Sequence, residues 1–215
     1  MESTAMQENR MLRYTEDQNS LAAKVTMEDI PPFDRTIVTG VDIHYRGFDA
    51  FGCATVMNIE SMQPVQTVTL EKEVEFEYIP GYLYLREGPI ILDLLKLLDS
   101  TGPVMIDGNG LLHPRRLGLA SYVGVTLNIQ TIGVAKSLHI GSIGLRANDE
   151  APITENDAVI GMAVWLGRKT PVFVSVGHRI TLSTSVVVVR ECSINGYPEP
   201  LRIAHITAKT MAREC

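Results

Sequence analysis

Three consecutive β-rich runs in the first half constrain this chain more than any other feature. Residues 36–43 (TIVTGVDI), 50–58 and 65–74 follow one another across short turn-forming links, Arg46-Gly47 and the stretch 61–64. Links that short cannot carry a crossover helix, so the runs are expected to pair as an antiparallel meander. The third alternates cleanly (VQTVTLEKEV), which leaves one of its faces in water.

Further along, the pattern changes. Residues 81–98 place Leu83, Leu85, Ile90, Ile91, Leu94, Leu95, Leu97 and Leu98 at helical spacing. Pro89 is expected in the first turn, which puts the helix start near Glu87. Residues 104–107 (VMID) form a short apolar strand ending in an acid, 118–127 a helix, and 131–135 another short strand. Helices alternating with short apolar strands predict parallel pairing in this half. Residues 159–166 and 172–176 suggest a late hairpin, and helices over 183–191 and 200–212 close the chain. Residues 1–35 read as an N-terminal arm with a helix at 15–24, ended by the IPP at 30–32. The expected architecture is therefore one mixed α/β domain over 36–215, antiparallel first and parallel later.

A chain of 215 residues can bury one full core. It has no run of 18 apolar residues, so no membrane span is expected. The N-terminus lacks an apolar stretch, and Cys53, Cys192 and Cys215 show no ligand spacing. These features predict a cytoplasmic, monomeric protein without a zinc site. The net charge of −6 argues weakly against a nucleic-acid partner, but it is unevenly spread. Residues 1–99 carry 17 acids and 8 bases, a net −9; residues 100–215 carry 8 acids and 11 bases, a net +3. No acid lies between Asp107 and Asp149, while Arg115, Arg116, Lys136 and Arg146 do. A basic stretch after a strand-end aspartate could meet phosphate.

Asp42 ends TIVTGVD, and Asp107 ends VMID before GNG. Two aspartates at the ends of adjacent core strands would repel one another at one sheet edge. Mg²⁺ or Mn²⁺ relieves that repulsion, and Glu87 could add a third carboxylate. Taken singly, each acid could equally cap a helix or turn. His178, after the strand VFV, is placed to orient or deprotonate a water. Lys136, in GVAKS, could offset charge on a phosphate. EYIPG at 77–81 sets an aromatic and an isoleucine on a proline turn, which could wedge between bases or pack on the core.

Taken together, these segments resemble the endonuclease V family. The matching stretches are GVDIHY (40–45), YIPGYLYLREGP (78–89), DGNGLLHPRRLGLASYVGV (107–125), TIGVAKS (131–137), SVGHRI (175–180) and PEPLRIAH (198–205). They lie in the family's order. The resemblance implies a ribonuclease H-like mixed sheet flanked by helices and a nuclease acting on inosine-containing DNA or RNA. It implies that Asp42, Glu87 and Asp107 hold Mg²⁺ (or Mn²⁺) and that Lys136 and His178 complete the catalytic group. Tyr78, Ile79 and Pro80 fall on the family's wedge. Gly81, Leu83, Gly108, Gly110, Gly118 and Gly133 fall on its hypoxanthine pocket. Two positions depart from the family's common pattern: Glu77 stands where the wedge usually begins with proline, and Asn109 where bacterial members commonly have histidine. Rival readings are a ribonuclease H-like nuclease for another nucleic-acid structure, or an inosine-binding module without catalysis.

Overall fold

The computed structural model describes residues 4–74 and 76–214. A first helix, α1 (Thr4–Ala22), precedes the meander β1 (Ile37–Arg46), β2 (Asp49–Asn58) and β3 (Gln63–Glu73). Then come α2 (Leu83–Leu95), β4 (Val104–Asp107), α3 (Leu119–Leu127) and β5 (Thr131–Ala135). The chain continues through β6 (Ser142–Ile143), β7 (Glu150–Glu155), β8 (Ala158–Val164) and β9 (Val172–His178). It closes with α4 (Leu182–Glu191), the small pair β10 (Ser193–Ile194) and β11 (Tyr197–Pro198), and α5 (Glu199–Glu214).

Among the described residues nine strands form one sheet in the order β3-β2-β1-β4-β5-β9-β8-β7-β6. The meander is antiparallel, and β1, β4 and β5 run parallel. This is the ribonuclease H-like arrangement expected. The parallel part is short, however: β9 turns back against β5, and β8, β7 and β6 extend the sheet antiparallel. The expected late hairpin is the β8–β9 pair. Strand β7 escaped the pattern because Pro152 interrupts its apolar residues.

Apolar clusters lie on the two faces of the sheet. One gathers Val38, Met105, Ile132, Val174 and Val188; another gathers Val41, Ile90, Leu94, Ile106 and Val123. Alternation along β1 and β4 divides Val38 from Val41 and Met105 from Ile106 in this way. Helix α2 starts at Leu83 rather than near Glu87, so Pro89 lies inside it. An interior proline costs about 3 kcal/mol. Burial of Tyr84, Ile90, Ile91, Leu94 and Leu95 on this helix outweighs that, at about 1.5–3 kcal/mol per large side chain.

Of the segment 1–35, expected as an arm, the described residues from 4 onward pack onto the domain. Gln18 on α1 is fully buried, and Tyr14 packs edge-on against Phe76 at 5.6 Å. The linker after α1 is pinned as well, with Ile30 N–H donating to Arg179 O and Arg179 N–H to Thr26 O. No described helix is long and apolar enough to cross a membrane.

Candidate active site

Strands β1 and β4 pair with Thr39, Gly40 and Val41 opposite Val104, Met105 and Ile106. The next residue on each is an aspartate. Asp42 and Asp107 therefore stand side by side and, by the two-residue alternation of strands, project from the same face. On β5, Val134 lies opposite Asp107, so Lys136 two residues later shares that face. Its Nζ donates to Asp107 Oδ2 at 2.5 Å and sits 5.3 Å from the ring centre of Tyr197.

Helix α5 crosses this face where β1 has Gly40. A Cβ there would come within 2.3 Å of Pro200 C, so only glycine lets the helix start lie on the strand. With α5 seated so closely, His205 Nδ1 donates to Asp42 Oδ2 at 2.7 Å. Glu87 reaches the group from α2. The Tyr45 hydroxyl donates to Glu87 Oε1 at 3.2 Å, and the Arg86 guanidinium lies 4.4 Å over the Tyr45 ring.

Burial is the main cause that raises the Asp42 carboxyl above its ordinary range; the charge of Asp107 adds to it and the His205 hydrogen bond opposes it. Burial likewise pushes Glu87 up to about 8, against the Tyr45 hydrogen bond, with Asp42 and Asp107 adding repulsion. Three carboxylates thus share one poorly solvated region. Among the described residues, no three His, Cys, Asp or Glu side chains already surround one point as metal ligands.

His178 is not brought to this group. Strand β9 runs antiparallel to β5 and sets His178 opposite Thr131, the first residue of β5. Lys136 lies past the other end, five residues and about 17 Å away from that level at ~3.3 Å per residue. His178 Nδ1 instead accepts from the Thr26 N–H at 3.1 Å and ties down the linker after α1. Ser175 of the same motif supports the loop after Asp107, its Oγ accepting from the Gly110 N–H at 2.9 Å. The histidine that does reach the acids, His205, had one sequence signal: it ends the stretch PEPLRIAH.

Beside Asp107 opens a cavity of about 490 Å³. Of the residues expected to read a base, Tyr78, Pro80, Gly81, Leu83, Gly108 and Gly118 line it. So do Asp107, Lys136 and Asn109. Gly110 and Gly133 are not on its wall but behind it. A Cβ on Gly133 would lie 2.4 Å from Gly110 N, and one on Gly110 would lie 2.0 Å from Val176 O. Their role is to let the 108–110 loop press onto the sheet. Ile79 also departs from expectation: it packs inward against the core, while Tyr78 is 61% exposed and Pro80 is exposed.

The sequence model of the Endonuclease V family matches residues 19–206. The chain belongs to the Endonuclease V family. It is 40% identical to Endonuclease V of Thermofilum pendens over 91% of this chain and 86% of that one. Among solved structures, Endonuclease V of Streptomyces avermitilis matches with a TM-score of 0.86 and 33% identity, covering 94% of this chain and 92% of the other. Endonuclease V of Ciona intestinalis, bound to a 24mer DNA containing an inosine followed by a ribo-adenosine, matches with a TM-score of 0.88 and 28% identity over 96% and 99% of the two chains. Endonuclease V proteins are nucleases, so this chain is a hydrolase that cleaves nucleic acid.

Proposed function

We propose that this protein is a divalent-metal-dependent endonuclease that recognises deaminated bases, inosine above all, and hydrolyses the second phosphodiester bond on the 3′ side of the lesion. The products carry 3′-hydroxyl and 5′-phosphate ends. One observation carries the reading: Asp107 and Lys136, from the acid cluster, line the same cavity as the Tyr78–Pro80 turn and Gly118. A volume of about 490 Å³ suits one extruded nucleobase with its sugar. The inosine in the DNA bound by the Ciona relative supports hypoxanthine as that base.

Buried carboxylates that repel one another suit a hard cation with oxygen ligands, and the donor set here is of that chemistry. Asp42, Glu87 and Asp107 would hold Mg²⁺, which Mn²⁺ can replace. When bound, the ion polarises a phosphate and lowers the pKa of water. The chain's own groups do the rest. Lys136 places a positive charge beside the phosphate where negative charge develops. His205 orients Asp42 through Nδ1 and leaves Nε2 to exchange a proton with solvent or the leaving oxygen. Tyr78 and Pro80 separate the bases flanking the lesion, and the cavity reads the extruded base along its pairing edge.

Timed cleavage of single-stranded and duplex DNA and RNA, each carrying one inosine, tests this beside adenosine-matched strands, with Mg²⁺ or with chelator. Cutting is expected only with inosine and metal, at one position, and the series ranks DNA against RNA. Equal cutting of the adenosine strands, or undiminished cutting in chelator, would overturn the reading.

A further inference from the structure

Two carbonyl groups on the cavity wall, and the guanidinium of Arg115 behind it, are held by one side chain from outside the cavity. Gln18, on α1, is 0% exposed, an unusual place for an amide unless its hydrogen bonds are met. All of them are. Its Nε2 donates to Gly81 O at 3.1 Å and to Leu117 O at 3.0 Å. Its Oε1 accepts from Arg115 Nε at 2.5 Å. Gly81 and Leu117 both line the cavity, from segments 36 residues apart in sequence. One amide group therefore spans two walls.

The wall at Gly81 receives further support. Its carbonyl also accepts from Arg115 Nη2 at 2.8 Å and from His113 Nε2 at 3.1 Å. His113 Nδ1 accepts from the Arg115 N–H, which leaves the ring proton on Nε2 to make that bond. The Arg115 guanidinium stacks 4.4 Å from the ring centre of Tyr82, whose hydroxyl meets Thr15 Oγ1 of α1 at 2.7 Å. Gly81 itself has a φ of 80°, a turn conformation that leaves its carbonyl directed at these donors. The Tyr78–Pro80 turn is the three residues just before it.

We infer that Gln18 is a positioning residue for base recognition: its amide sets the distance between the Gly81 and Leu117 walls and the pose of the Tyr78–Pro80 turn, which makes α1 part of the base site. The inference rests on the reading of this cavity as an inosine pocket. Glutamine is required by its chemistry, because only an amide offers two donors and an acceptor from one planar group. Glutamate at this position could still accept from Arg115 but would turn acceptors toward two carbonyls. Methionine would match its length and volume while leaving Leu117 O without its partner.

The test measures binding by fluorescence anisotropy in chelator, so that no cleavage is needed. Labelled inosine and adenosine strands are compared for the wild-type chain, Gln18→Met, Gln18→Glu and Val189→Ala. Val189 is buried in the separate core cluster of α4 and serves as a control for general loss of stability. In Gln18→Met and Gln18→Glu the preference for inosine is expected to fall by about tenfold, since two directed hydrogen bonds that shape the site are gone. With Mg²⁺ present, KM for the inosine strand rises while kcat changes less, and Val189→Ala keeps the wild-type preference. Gln18→Glu retains its length and its Arg115 contact, so it remains informative if Gln18→Met does not fold. A wild-type chain without inosine preference refutes the pocket reading itself. A wild-type preference that survives in both Gln18 variants, or is lost equally in Val189→Ala, refutes the role of Gln18 alone.

Discussion

His113 links the pocket to pH in a way that can be measured without any substrate. Its ring is 9% exposed, and burial foremost pushes it from an ordinary 6.5 down to about 4, with the Arg115, His139 and Arg116 charges acting the same way and the Gly81 carbonyl opposing. The neutral ring is thus favoured in the folded state. As pH falls below 6.5 the unfolded chain takes up the proton first, so the unfolded state binds more protons between pH 6.5 and 4. Stability is fully present above 6.5 and declines through this window. At about 1.4 kcal/mol per pH unit, the whole gap amounts to about 3 kcal/mol, of which about 2 kcal/mol is lost by pH 5. Urea unfolding of the wild-type chain and of His113→Gln at pH 7 and pH 5 measures this as a double difference. Buried Glu87 and His178 titrate in both proteins and cancel. The glutamine keeps a donor for Gly81 O and removes the titration. The wild-type chain is expected to lose about 2 kcal/mol more than His113→Gln between the two pH values. Identical losses would refute the argument that His113 is held neutral against Gly81.

Further outcomes follow from the site. Asp107→Asn keeps shape but removes a charge from the acid cluster, and is expected to abolish cleavage of an inosine strand with Mg²⁺ while sparing binding; full activity would sink the assignment. His205→Ala is expected to lower kcat by about 10²–10⁴-fold, the usual contribution of a positioned acid or base, whereas His178→Ala leaves kcat within a few fold. Removing His178 instead costs about 1 kcal/mol in urea unfolding, the worth of one hydrogen bond to Thr26. Gly40→Ala sets a methyl against the Pro200 backbone, and is expected to cost about 1–3 kcal/mol and to lower cleavage by displacing His205. Unchanged stability of that variant would show that α5 does not rest on β1 as described.

Much of this molecule is legible from its residues because the determining forces are local. Strands β4 and β5 match the expected bounds 104–107 and 131–135, since short apolar runs between turn residues have few other solutions. Helix α2 begins at Leu83, ahead of the expected start near Glu87, because a proline signals a helix start and only the apolar surface beneath it reverses that preference. Strand β6, two exposed residues long, has no local signature at all.

The site divides in the same way. Strand-end position, chemical type and motif order mark Asp42, Glu87, Asp107 and Lys136 from the sequence alone, and they mark Tyr78 and Pro80 on a rigid turn. Which histidine joins the acids is a tertiary decision. His178 sits on a strand whose alternation and apolarity are the same whether it runs with β5 or against it, and its antiparallel course carries it to the far end of the sheet. His205 arrives from a helix 163 residues after Asp42, through a contact that depends on Gly40 having no side chain. Gln18 gives no hint of its place on its own helix, because its partners Gly81, Leu117 and Arg115 belong to two distant loops. Periodicity and residue chemistry act over a few neighbours and are written along the chain. Strand direction, helix seating and the partners of a buried amide depend on the packing of the whole sheet, and only the folded structure decides them.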